Sequence, residues 1–237
     1  MTRRVLHISD THFAAPGHAG EPPGLDPVAR LETVLDAVAA EGFTPDLIVH
    51  TGDVADDGSA DAVERVRARL AAVAPTVAVP GNHDNPAVVR RAFGPPEAVA
   101  GPWRVAGIDT VIPGEVGGHS RALAAAVAAA DGPTILLMHH PIRSHSTHPW
   151  FRVDGGEDGL PLLAASPHPW VVLSGHTHEV YEEAAGPDGR VRLWGGPATH
   201  YALRHEADAW RVVPGRTGAR LIELGDDGAV AARIVRA

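Results

Sequence analysis

The stretch Val5–Ala14, VLHISDTHFA, begins as a buried strand and stops abruptly. Val5, Leu6 and Ile8 are apolar; Asp10, Thr11 and His12 follow with no apolar partner. Asp and Thr commonly open turns and cap helices, so one strand ending this way carries little meaning. The ending recurs, however. LIVHT (47–51) runs into Gly52 and Asp53, and TVAVP (76–80) into Gly81, Asn82, His83 and Asp84. TILLM (134–138) runs into His139 and His140, and WVVLS (170–174) into Gly175, His176, Thr177 and His178. Parallel strands of an α/β fold put their carboxyl ends along one edge, where sites form. The pattern therefore predicts that the five ends converge. Gly52, Gly81 and Gly175 each stand just before the polar group, where the chain has to turn sharply and glycine tolerates the turn best.

Each motif has an ordinary reading when taken singly. Asp-x-His, Thr-Gly-Asp and Asn-His-Asp all occur at plain turns, and a His pair before Pro141 can end a strand facing solvent. The Gly-His-Thr-His run is harder to dismiss, because two histidines one residue apart share a side of an extended segment. Five such endings on successive strands point to metal binding. The donors are oxygen and imidazole, and the chain has no cysteine. Such a set suits Mn, Fe, Zn or Co and excludes a thiolate site. It also differs from an all-oxygen calcium site. The donors are too many for one ion and about right for two, bridged by a carboxylate and roughly 3.5–4 Å apart.

Around these endings strands and helices alternate. RRVLHIS, PDLIVH, PTVAVP, WRVAGID, TILLMHH and PWVVLSG read as strands. Helices are predicted over 26–42, with Asp26 as N-cap and Pro27 in the first turn, over 59–74 with Ser59 as cap, near 85–93, and over 120–132. The stretch 141–169 reads as loop with one helix near Leu160. The last third changes to hairpins, at 180–195 and 219–235, each turning at an Asp-Gly pair. One domain spanning 1–237, built from two packed sheets with flanking helices, fits best.

The chain has 237 residues, a hydrophobic share of 44% and a net charge of −9, and all its basic residues are arginine. That balance makes nucleic acid an unlikely main partner, since phosphate backbones need clustered cations. No apolar run approaches a membrane span and none follows a basic leader, so a soluble cytoplasmic protein without membrane contact is expected.

The ordered set Asp10-x-His12, Gly52-Asp53, Gly81-Asn82-His83-Asp84, His139 and Gly175-His176-x-His178 resembles the calcineurin-like metallophosphoesterase superfamily. The wording ISDTH, TGDVADDG, GNHD, MHHP and SGHTH is most similar to its class III cyclic nucleotide phosphodiesterases and related glycerophosphodiesterases. The resemblance implies a four-layer αββα sandwich of two mixed β-sheets flanked by helices. It implies two divalent or mixed-valence ions, with Asp10, His12 and His178 on one, Asn82, His139 and His176 on the other, and Asp53 between them. It implies that His83 faces the phosphate and that Asp84 orients His83. His140 is not expected to be a ligand. The expected activity is hydrolysis of small phosphodiesters, cyclic nucleotides or glycerophosphodiesters, by a metal-activated hydroxide. A phosphomonoesterase or nuclease on the same site is the alternative within enzymes, and a non-catalytic binding scaffold the alternative outside them. Specificity is expected from 145–157 and 195–203, with Trp150 a candidate to stack on a base and Arg143 or Arg152 to hold a phosphate oxygen.

Overall fold

The computed structural model describes residues 2–18, 22, 24–144, 146–151 and 153–237, so His145 and Arg152 lie outside the described residues. The first part of the chain runs β1 (Arg3–Ile8), α1 (Pro27–Ala40), β2 (Leu47–His50), α2 (Ala60–Ala71), β3 (Thr76–Ala78) and α3 (Pro86–Phe93). Then follow β4 (Glu97–Ala100), β5 (Trp103–Gly107), a short β6 (Gly118–His119), α4 (Leu123–Ala128) and β7 (Thr134–Leu137). A 3-10 turn (Pro149–Phe151), a short β8 (Val153–Asp154) and α5 (Gly156–Ala165) lead to β9 (Trp170–Ser174). The rest is β10 (Tyr181–Ala185), β11 (Val191–Gly195), β12 (Ala202–Glu206), β13 (Ala209–Val213), β14 (Gly218–Leu224) and β15 (Val230–Arg236).

Two mixed sheets carry the fold, in the strand orders β15-β14-β1-β2-β3 and β10-β11-β9-β7-β5-β4. Strands β1, β2 and β3 are mutually parallel, as are β5, β7, β9 and β11. Side chains alternate across each strand, and here both faces are buried. Val5, Val49, Ile135, Leu137 and Leu173 meet in a core between the sheets. Leu6, Ile8 and Ile48 turn instead to the helix side, against Leu31, Val34, Val63 and Leu70. On the far side Leu136, Met138 and Val172 pack with Leu123, Leu160 and Leu163. Three cores separate four layers, and the result is an αββα sandwich. Burial on both faces explains why these strands read as unbroken apolar runs.

The two expected caps are in place, Asp26 accepting from Val28 N at 2.9 Å and Ser59 from Ala62 N at 3.3 Å, and Asn85 caps α3 by accepting from Ala87 N at 3.1 Å. The helix expected over 120–132 is shorter, at Leu123–Ala128, and its N-cap Ala122 offers no side-chain acceptor. Both expected hairpins form. A further hairpin, β12–β13, had no turn signal: its tip is Ala207-Asp208, and Ala207 takes φ +56 without glycine. Among the described residues no helix is long and apolar enough to cross a membrane.

Candidate metal centre

The five strand ends converge, but from two sheets. Asp10, His12, Asp53, Asn82 and His83 follow three neighbouring strands of one sheet, and His139, His176 and His178 follow two neighbouring strands of the other. Backbone bonds knit the ends together, Asp10 N to Gly52 O, His12 N to Asp53 O and Gly175 N to His139 O, each at 3.0 Å. The His176 amide donates across the sheets to Asp10 Oδ1 at 3.1 Å. Among the described residues, five of the seven non-glycine residues at positive φ are Asp10, His12, Asp53, His176 and His178. Such backbone costs about 1–3 kcal/mol per residue and concentrates at functional sites.

Glycine matters here mainly as absence of bulk. Gly52 does take φ +93, and a Cβ there would also come 2.6 Å from His139 Nδ1. Gly81 and Gly175 have no such φ. A Cβ at Gly81 would overlap the Asp53 carboxylate, and one at Gly175 would overlap Ser9 Oγ and crowd Asp10 Oδ2. At these two positions close approach, not a sharp turn, is what glycine permits.

Hydrogen bonds determine which ring nitrogen each histidine presents. His12 Nδ1 donates to Asp56 Oδ1 at 2.9 Å, His139 Nδ1 to Thr51 O at 2.7 Å and His178 Nδ1 to Tyr201 O at 2.9 Å. His176 is reversed, donating Nε2–H to Trp150 O at 2.7 Å. Each imidazole spends one N–H on an oxygen, so its opposite nitrogen is the one left to bind a metal. The Nε2 atoms of His12 and His178 lie 3.2 Å apart, and His178 Nε2 is 3.3 Å from Asp10 Oδ1. His139 Nε2 lies 3.3 Å from Asp53 Oδ2 and 3.0 Å from Asn82 Oδ1.

The electrostatics call for cations. Burial pushes Asp10 and Asp53 up, but His178 beside the first and His139 beside the second outweigh it and hold both below the usual carboxylate range. Asp10 Oδ2 is buried with no hydrogen-bond partner. Burial pushes His139 down, and the Asp53 carboxylate outweighs it, raising the imidazole to about 9. His139 Nε2, Asp53 Oδ2 and Asn82 Oδ1 thus converge on one point. Asp10, His12, Asp53 and His178 bring their donor atoms within 4.8 Å of one another, and His139, His140 and His176 form a second such group. Buried carboxylates, opposed imidazole nitrogens and an orphaned oxygen fit two metal ions sharing Asp53.

The calcineurin-like phosphoesterase family model matches residues 3–180. The chain belongs to that family. This metallophosphoesterase is 32% identical, over 98% of its own length and 89% of the relative, to the 3',5'-cyclic adenosine monophosphate phosphodiesterase of Pseudomonas aeruginosa. The enzyme of the same name from Escherichia coli K12 is 29% identical over the same shares. A dimetal phosphatase from Danio rerio superposes with a TM-score of 0.62 at 14% identity, covering 99% of this chain and 98% of that one, and so shares the fold.

The residues around the metallophosphoesterase centre divide differently from expectation. His83 donates its amide to Asp53 Oδ1 at 3.0 Å and Nδ1–H to Asp56 O at 3.1 Å. Burial lowers its pKa, but Asp53 and Asp56 outweigh burial and raise it. Asp84 does not orient the His83 ring. Its carboxylate is taken up by three backbone amides, Val54 at 3.1 Å, Ala55 at 2.8 Å and Gly81 at 2.8 Å. It braces the Asp53 loop against Gly81, and burial with the nearby Asp53 charge raises it to about 7. The carboxylate at the His83 ring is Asp56, 3.4 Å from Nδ1, which also holds His12 and His18. Asp56 went unnoticed in the sequence; the available signal was a second carboxylate three residues beyond Asp53.

Both ring nitrogens of His140 are engaged, Nε2 donating to Val116 O at 2.9 Å and Nδ1 meeting Thr110 Oγ1 at 2.8 Å. Arg143 is paired with Glu157 at 3.0 Å and Glu183 at 3.1 Å, so its expected role toward phosphate is not borne out. A cavity of about 320 Å³ opens over the centre, walled by Asn82, His83, Val116, Trp150, Tyr201 and Trp210 among others. Among the described residues no arginine lines it.

Proposed function

We propose that this metallophosphoesterase hydrolyses small phosphodiesters, 3',5'-cyclic nucleotides foremost, with residues 1–237 acting as one domain. The observation that carries the reading is the full-length likeness to a cyclic adenosine monophosphate phosphodiesterase. The cavity adds to it. At about 320 Å³ it matches the lower end of small-molecule pockets, about 300–1,000 Å³, and suits a mononucleotide rather than a polymer. Among the described residues the wall carries no arginine, and with a net charge of −9 this suits a diester monoanion better than a monoester dianion.

In this reading Asp10, His12 and His178 hold one ion, Asn82, His139 and His176 the other, and Asp53 joins them; the donor set suits Mn, Fe, Zn or Co. When bound, two such ions neutralise phosphoryl oxygens and bring a water's pKa toward neutrality. The carbonyls of Thr51, Tyr201 and Trp150 and the Asp56 carboxylate orient the four imidazoles. His83, whose pKa Asp53 and Asp56 raise against the effect of burial, would donate a proton to the leaving alkoxide. Asp84 holds Asp53 in register by binding the amides that follow it.

The test is steady-state kinetics of the Mn-reconstituted enzyme on cyclic AMP, cyclic GMP, bis(4-nitrophenyl) phosphate and 4-nitrophenyl phosphate. The diesters are expected to show the higher kcat/KM. Preference for the monoester, or no turnover of any diester, refutes the reading in favour of a phosphatase.

A further inference from the structure

The β12–β13 hairpin belongs to neither main sheet, yet it is anchored to the metal centre. Leu203 N donates to His178 O at 3.1 Å, and His205 Nε2 donates to Thr177 O at 2.8 Å. Its tip also receives the loop that carries Trp150, through Thr147 N to Ala207 O at 3.1 Å. Trp210 on β13 and Trp150 on that loop meet with ring centroids 5.0 Å apart and planes at 44°. His148 and Phe151 touch Trp210 in T-shaped contacts at 4.8 and 5.4 Å. No pair in this cluster is a parallel stack. Trp150 is 47% exposed although it carries a large apolar ring, and both indoles line the cavity above the metal centre.

We propose that Trp150 and Trp210 form a stacking platform for the purine base of a cyclic nucleotide whose phosphate sits at the metal centre. The inference rests on the cyclic nucleotide reading above and adds the residues that recognise the base. A cyclic nucleotide is a charged diester at one end and a flat aromatic ring at the other, one sugar apart. The cavity has the matching order, carboxylates and imidazoles at its floor and indoles at its wall. The register is built in, because Trp150's own carbonyl accepts the His176 Nε2–H. Stacking works for every base, since each has a π face. Discrimination needs hydrogen bonds to the base edge. The apolar end, Val116, Trp150, Phe151, Leu203 and Trp210, offers no amide or carboxylate side chain to make them. Cyclic AMP and cyclic GMP should therefore be used within about tenfold of one another.

Two arms test the platform. The first compares kcat/KM for cyclic AMP with that for base-free ribose 3',5'-cyclic phosphate, in the Mn-loaded wild type and in Trp150→Ala, Trp210→Ala and their Phe counterparts. Alanine is expected to cut the ratio of the two by about 5- to 150-fold, and Phe to restore most of it. A merely structural role would lower both substrates together and leave the ratio unchanged, which overturns the proposal. The second arm measures equilibrium binding of 5'-AMP and ribose 5-phosphate by isothermal titration calorimetry. Tighter binding of 5'-AMP, lost in the alanine variants, supports the platform; equal binding overturns it. If the enzyme cleaves bis(4-nitrophenyl) phosphate but no cyclic nucleotide, the proposed substrate fails, and the binding arm alone decides the platform.

Discussion

Gly81→Ala is the smallest change that tests how the centre is built. The added Cβ would overlap Asp53 Oδ1, Cγ and N, two atoms of a carboxylate with nowhere to go and one backbone atom. Inserting a methyl into a packed site costs about 1–3 kcal/mol. Turning the Asp53 carboxylate away also breaks its bond from His83 N at 3.0 Å, a charged hydrogen bond of about 1.5–3 kcal/mol. Together the loss is about 2.5–6 kcal/mol, which for a chain of this size lowers Tm by about 5–24 °C. Asp53 lies between the two donor groups, so metal affinity should fall by at least about 10–100-fold, the effect of disturbing a ligand's support. Gly132→Ala is the control: its nearest neighbour is Pro102 O at 3.9 Å, and it should behave as wild type. Calorimetry and elemental analysis after metal reconstitution measure both effects. A Gly81→Ala protein with two metals, wild-type Tm and wild-type turnover would refute the close-approach argument.

Further outcomes follow from the same geometry. His83→Ala should keep both metals and lose about 10²–10⁴ in kcat, and loss of a metal instead would make His83 a ligand. Asp84→Ala should lower metal occupancy and Tm together, because three backbone amides lose their acceptor at about 1–3 kcal/mol each; a kcat loss alone would restore the His83-orienting role. Asp53→Ala should reduce the metal content from two equivalents, and a stoichiometry unchanged by it would refute the bridge. His7 is fully buried against Thr51, and burial, then Arg220, lowers it to about 3. The unfolded chain takes up that proton first, so its contribution is complete above pH 6.5 and is lost as pH falls toward 3, by up to about 5 kcal/mol at 1.36 kcal/mol per unit. Urea unfolding of chelator-treated protein between pH 7 and 4 should show a steeper loss in wild type than in His7→Leu.

The candidate donor types were legible in the sequence, and so was the order in which they occur. Burial on both faces makes a strand apolar throughout, and that is a local property: VLHIS, LIVH and WVVLS announce themselves, as do the residues at which they stop. The layers followed from the same runs. Pairing across the chain is not local. His12 and His178 are 166 residues apart, and only packing two sheets face to face brings their Nε2 atoms to 3.2 Å. The ring nitrogen each histidine presents depends on carbonyls of Thr51, Tyr201 and Trp150, whose side chains do not report it. Asp56 stands where Asp84 was expected for a similar reason: sequence adjacency places Asp84 next to His83, but its carboxylate turns toward amides some thirty residues away. The β12–β13 hairpin turns without a glycine, held by contacts to loop 146–148 and to the Gly-His-Thr-His segment. Strand ends are written in the strands themselves; what stands opposite each end is decided by the packing of the two sheets.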